Sequence, residues 1–173
     1  FSLVISGIVH GPEPWGYKFH NLVIHLINGL LIFWLLLKLL PKLSPLQTRE
    51  QILLIAGLVA AIWLLHPLLV STVLYAVQRM AQLTSLFILV ALLVYTYARE
   101  GAGETGLRFY WLAYVVLPIC TVLSILAKEN GVLIPLFIFA IEFIVYQFAY
   151  ISVLARNRIM LFLGLFVFLP VLT

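Results

Sequence analysis

The sequence predicts an all-α, polytopic membrane protein, and three observations carry that prediction. Apolar runs close to the length of a bilayer crossing recur along the 173 residues, which are 65% hydrophobic and only 9% charged. Mean hydropathy is +1.19, and about 20 apolar residues cross a hydrocarbon core roughly 30 Å thick. The runs are continuous rather than short and alternating, which argues against a β-barrel.

Six spans are expected, at approximately 19–40, 52–66, 81–98, 109–127, 131–150 and 159–173, within a single transmembrane domain, 1–173. Pro41 and Pro45 should end the first. Pro67 should break the second, which could run on toward 76. Gly101, Gly103 and Gly106 should form the loop after the third. The chain starts at Phe1 and stops inside an apolar run at Thr173, so a fragment with no signal peptide in view is expected. Neither internal repeats nor low-complexity tracts are evident. Cys120, the one cysteine, lies in an apolar run and offers no disulfide or cysteine-based metal site. The net charge of +4 is spread along the chain and forms no patch for nucleic acid.

Basic residues set the orientation. One set of loops holds Lys38, Lys42, Arg49, Arg99, Arg108, Arg156 and Arg158, and the opposite set holds Lys18, Arg79 and Lys128. The first set is expected in the cytoplasm. Residues 1–18, the stretch around 66–80, and Lys128–Asn130 then share the outer face.

On that face, "AKEN" sets Lys128, Glu129 and Asn130 between two apolar runs. Adjacent helical residues point about 100° apart, so Lys128 and Glu129 are poor partners for one another. In the bland reading, Lys128 snorkels to headgroups and Glu129 marks a helix start. A second polar group lies in "WLLHPLLVSTVLYAVQRMAQLTSLF", where residues 67–79 are too few for a crossing and suit a helix lying on the surface or dipping back in. Arg79 offers a fork of donors matched to phosphate and Lys128 a point charge. His66 alone reads as a satisfied helix-end histidine. His66, Gln78, Arg79, Lys128 and Glu129 gathered on one face read better as a site.

In the first span, Asn21, His25 and Asn28 follow i, i+4, i+7 and form one stripe. Such a stripe faces other helices or a wet cavity. Packing suits Asn28 better, whereas His20 and Asn21 fit packing and ligand contact equally. His20 and His25 point roughly 140° apart, which argues against a two-histidine metal site. Glu142, expected mid-way along the fifth span, should pair within the bundle, with a proton relay as the sharper reading.

Three blocks, "HGPEPWGYKFHNLVIHLINGLLIFWLLL", "WLLHPLLVSTVLYAVQRMAQLTSLFILVALLVYTYARE" and "LSILAKENGVLIPLFIFAIEF", resemble in order and spacing the membrane domain of the TMTC-type glycosyltransferases and their bacterial relatives. The resemblance covers most of residues 7–145. It implies a GT-C-like bundle and transfer of a sugar from a polyprenyl-phosphate donor to an acceptor hydroxyl, on protein or glycan, at the outer face. It also implies tetratricopeptide repeats or other subunits as partners, and no nucleic acid. Arg79 and Lys128 are then the expected holders of donor phosphate, with His66, Gln78 and His20 bonding phosphate or sugar. Glu129 is a catalytic candidate that could orient a cation or meet the acceptor. The family's base lies in an acidic motif of the first extracytoplasmic loop. This sequence departs there, containing no Asp and only Glu13 upstream of the first span. A divalent metal is compatible but no ligand cluster requires one. The "QRM" form reads as bacterial, hence an inner membrane, with the endoplasmic reticulum as alternative. A secondary transporter and a non-enzymatic membrane subunit remain open.

Overall fold

The structure, a computed structural model, describes residues 14–44, 48–101, 111–149 and 153–164. Among these residues every element is helical and no strand is present. Pro45, Gly103, Gly106, Arg108, Glu13 and residues 165–173 of the sixth expected span lie outside them.

Helix α1 spans Pro14–Leu43, beyond both ends of the expected 19–40. Pro41 lies inside its last turns instead of ending it. The cost there is the one backbone hydrogen bond that proline cannot donate. Helix α2, Arg49–Leu64, opens on a reciprocal cap in which Thr48 Oγ1 accepts from Gln51 N and Gln51 Oε1 accepts from Thr48 N. It stops short of His66, whose backbone (φ −64°, ψ 125°) is extended as the residue before a proline prefers.

The chain then turns through the 3-10 segment Pro67–Leu69, the one-turn helix α3 at Val70–Leu74, and a second 3-10 turn at Ala76–Gln78. The axis of Pro67–Leu74 bends 50° from that of α2. Helix α4, Arg79–Gly101, follows at once. A wider π-type segment, Leu112–Val116, leads into α5, Leu117–Ala127, where Pro118 cannot donate to the preceding turn.

Lys128 is fully extended (φ −163°, ψ 149°) and reverses the chain into the 3-10 turn Glu129–Leu133, helix α6 (Ile134–Ile141) and the π-type turn Glu142–Tyr146. Gln147 and Phe148 then take positive φ values of 49° and 53° and end the run. Helix α7 is Val153–Leu163. The reversal at Lys128 is tight enough to demand glycine next door. A Cβ on Gly131 would lie 2.4 Å from Ile125 N and Ser124 C.

Among the described residues three helices are long and apolar enough to cross a membrane, Trp15–Leu43, Ala76–Glu100 and Glu129–Tyr146. The bent pair Arg49–Leu64 and Pro67–Leu74 makes a fourth if counted as one span, and Leu112–Ala127 is apolar but shorter. Side-chain pairs fix the directions. Asn21 meets Arg79, Asn28 meets Gln82, and Lys38 meets Glu100, so α1 and α4 run parallel. Thr84 and Ser124 exchange bonds to each other's carbonyl oxygens, with α5 antiparallel to α4. Tyr95 and Arg99 meet Glu142 at the far end of the segment that begins at Glu129.

Helix α4 is the central element, and Ala91, Leu92, Tyr95 and Ala98 on it pack with Leu35, Ala113, Leu117, Ile134, Ile138 and Phe162. Around this core the usual partition is reversed. Asn21, His25, Asn28, Arg79, Gln82, Arg99 and Glu142 are buried, whereas Leu30, Leu54 and Ile62 are each more than 60% exposed.

Candidate functional site

The broken segment between α2 and α4 is held by the polar stripe of α1. A bent helix frees backbone carbonyl groups, and in an apolar surround each needs a donor. His25 Nε2 lies 3.0 Å from Leu64 O, with its ring stacked on Trp63 at 4.8 Å. Asn21 Nδ2 donates to Val73 O and Tyr75 O, at 3.2 and 3.0 Å. Gln82 Nε2 donates to Thr72 O, and Asn28 Nδ2 to Gln82 O. Asn28 thus packs as expected, and Asn21, for which packing and ligand contact read equally, is engaged with backbone and with Arg79.

Arg79 belongs to the same scaffold. It is 1% exposed; its Nε donates to Asn21 Oδ1 at 2.9 Å and its Nη2 to Tyr17 O at 3.0 Å, and it lies over the Tyr17 ring. Asn21 therefore accepts from Arg79 while it donates to residues 73 and 75, tying the start of α4 to the segment just before it.

Gln78, one residue earlier, is exposed and lines a cleft of about 370 Å³ together with Val77, Met80, Ala81, Ala127, Lys128 and Glu129. Lys128 reaches this cleft because its extended backbone stands outside both flanking helices. Glu129 follows in the first turn of the 3-10 segment. Of the six residues expected to form a site, the fold thus brings Gln78, Lys128 and Glu129 to one cleft. Arg79 is not among the residues lining it. Neither is His66, whose Nδ1 accepts from Leu68 N and caps the short turn that follows. His20 is bonded through Nδ1 to Gly16 O in its own helix, at 2.7 Å. Glu129 is the sole carboxylate at the cleft. Among the described residues no three His, Cys, Asp or Glu side chains gather as a ligand set.

A second polar centre lies at the opposite end of α4. Glu142 is not mid-way along its span but in the closing turn, fully buried. It accepts from Tyr95 Oη at 2.6 Å and from Arg99 Nε at 3.1 Å, and Arg99 Nη2 also donates to Ala149 O at 2.6 Å. Arg99, grouped from sequence with the loop cations, is instead 4% exposed. Its spacing of i+4 from Tyr95 was the available signal, and it needed Glu142 to give it meaning. Next to it, Glu100 binds Lys38 Nζ at 3.0 Å and Lys42 Nζ at 3.4 Å.

No family model, curated protein or solved structure matches this chain.

Proposed function

We propose that this chain is the membrane-embedded part of a GT-C-type glycosyltransferase that takes sugar from a polyprenyl-phosphate donor at the outer membrane face. The observation that carries the proposal is the cleft shared by Gln78, Lys128 and Glu129, which combines a cation, an amide and a carboxylate with apolar walls. A lipid-linked sugar has the same division, a phosphate at the interface and a chain that stays in lipid.

The reversed partition of the fold supports insertion in a membrane. Buried amides and charges beneath a coat of exposed leucine and isoleucine suit lipid as the solvent, whereas water would penalise that coat. With the Lys38 end cytoplasmic by the basic bias, the Lys128 cleft faces outward, in a bacterial inner membrane. The six-span GT-C bundle belongs to the same proposal.

In this reading, Lys128 Nζ and Gln78 Nε2 hold the donor phosphate. The acceptor hydroxyl oxygen attacks the anomeric carbon, the bond from that carbon to the phosphate oxygen breaks, and its electron pair leaves on phosphate. A fixed cation in a water-poor site stabilises that growing charge more than it would in bulk water. The hydroxyl proton passes to Glu129, the carboxylate at the cleft. Arg79 acts as a positioning residue, since its bonds to Asn21 and Tyr17 O fix the start of α4 beside Gln78. His66 and His20 serve the backbone that they bond.

The second reading, a secondary transporter, is favoured by one observation, the 50° break after α2, because transporters use broken helices at their sites. The test is donor binding and sugar transfer by full-length protein in purified membranes supplied with labelled polyprenyl-phosphate sugars. Lys128→Met should lower turnover by on the order of 10²–10³, the range for losing one charge-stabilising donor. Normal transfer by Lys128→Met, or no transfer by the wild type, ends the proposal.

A further inference from the structure

The Lys38 end of the bundle carries a second cleft, of about 290 Å³, lined by Lys42, Arg99, Glu100, Val145, Tyr146 and Ala149. We infer that this cleft binds the headgroup phosphate of an anionic glycerophospholipid in the cytoplasmic leaflet. The inference is independent of sugar transfer and rests only on the membrane part of the proposal above.

Charge is the first argument. Lys38, Lys42 and Arg99 face the carboxylates of Glu100 and Glu142, leaving one positive charge in excess. Arg99 is committed to Glu142 and Ala149 O. The adaptable cation is Lys42, at the end of α1. Its contact with Glu100 is the longer of the two, 3.4 Å against 3.0 Å for Lys38. Glu100 lines the cleft and repels an anion, but Lys38 neutralises it when Lys42 turns to a phosphate. Little is lost in that exchange, because partly exposed pairs contribute little.

An unused donor is the second argument. The ring of Tyr146 sits between two cations, 4.6 Å from Arg99 Cζ and 5.2 Å from Lys42 Nζ. Its hydroxyl is buried and has no hydrogen-bond partner among the described residues. Buried polar groups of native proteins are satisfied in the great majority, and an orphan marks a missing partner. An acceptor oxygen brought in with Lys42 supplies one once the Tyr146 side chain turns its hydroxyl into the cleft that it lines.

The surroundings decide between a lipid and a free phosphate. Val145 lines the cleft, and Phe143 and Ile144 of the same turn present exposed apolar side chains. Acyl chains would cover them. Basic pockets between helices on the cytoplasmic side attract anionic headgroups, each lysine contributing about 1 kcal/mol.

The test uses full-length protein in nanodiscs of phosphatidylcholine with a minor share of phosphatidylglycerol, and native mass spectrometry of the lipids retained. Phosphatidylglycerol should be enriched over phosphatidylcholine, and Lys42→Gln should reduce its relative affinity roughly fivefold. Tyr146→Phe should reduce it without loss of folded protein, while Lys18→Gln, an exposed cation at the opposite end, should not. Equal retention of the two lipids, or retention unchanged by Lys42→Gln, overturns the inference. So does displacement by millimolar inorganic phosphate, which would make this a site for soluble anions. Failure of the chain to enter nanodiscs at all would instead strike the membrane reading itself.

Discussion

Replacing Glu142 with Gln removes one negative charge from a buried pair, and the structure sets what that costs. Glu142 is fully buried and Arg99 nearly so, with 3.1 Å between Arg99 Nε and Glu142 Oε2. Losing one partner of such a pair leaves the other charge uncompensated, at about 3–5 kcal/mol. The carboxamide oxygen of Gln can still accept from Tyr95, now 2.6 Å from the carboxylate, but its NH2 group meets Arg99 with the wrong polarity. Arg99→Met alone should cost a similar amount, because it strands Glu142. The double variant, Glu142→Gln with Arg99→Met, should be markedly more stable than the sum of the two single losses, since neither charge is left unmatched. The assay is equilibrium unfolding of the full-length protein in detergent micelles, read as a four-member mutant cycle. Additive losses, or a Glu142→Gln variant as stable as wild type, would refute the view that this pair is a mutually dependent buried unit.

Gly131→Ala should abolish most folded protein, because its Cβ would lie 2.4 Å from the backbone of Ser124 and Ile125, whereas Gly57→Ala, with nothing within 4 Å, should be neutral; the yield of monodisperse protein from membranes measures both. His25→Leu should destabilise more than Asn28→Leu, since it leaves Leu64 O unmatched at the break and loses the Trp63 stack, while Asn28 makes one bond that averages well under ~1 kcal/mol in membranes. The same unfolding titration compares them, and equal small effects would reduce the stripe to ordinary packing. Cysteines at Ser71 and Asn130 should be labelled by an impermeant thiol reagent from outside and one at Glu50 should not; the converse pattern inverts the orientation drawn from the basic bias.

Local features of the sequence carried the helices, the break at His66-Pro67 and the reversal at Lys128, because each depends on a few neighbouring residues. A proline forces its predecessor out of the helix, and continuous apolar runs can satisfy their backbone in lipid only as helices. The i, i+4, i+7 stripe likewise predicted that Asn21, His25 and Asn28 share a face. It could not show that the face meets carbonyl groups of residues 64, 73 and 75 at the break, and of Gln82 in α4, rather than a ligand. In a helix that is apolar nearly all round, the pattern that tells inside from outside is weak, so polar residues alone mark the packed side.

Tertiary structure decided the fate of the charges. Arg79 and Lys128 look alike in sequence as cations at the outer end, yet one turns inward to Asn21 and the other stands in an open cleft. Arg99 and Glu100 are neighbours, yet one is buried on Glu142 and the other shared by two partly exposed lysines. Adjacent residues on a helix point about 100° apart, and what each then meets depends on helices 43 and 62 positions away in the chain. The sequence by itself determined that the chain is helical, that it breaks at His66-Pro67 and that it reverses at Lys128, since those are short-range properties of the backbone, whereas ends such as Leu43, beyond Pro41, fell elsewhere. Which charges are buried together and which are left at a cleft is a property of distances between helices, and only the folded bundle supplies those distances.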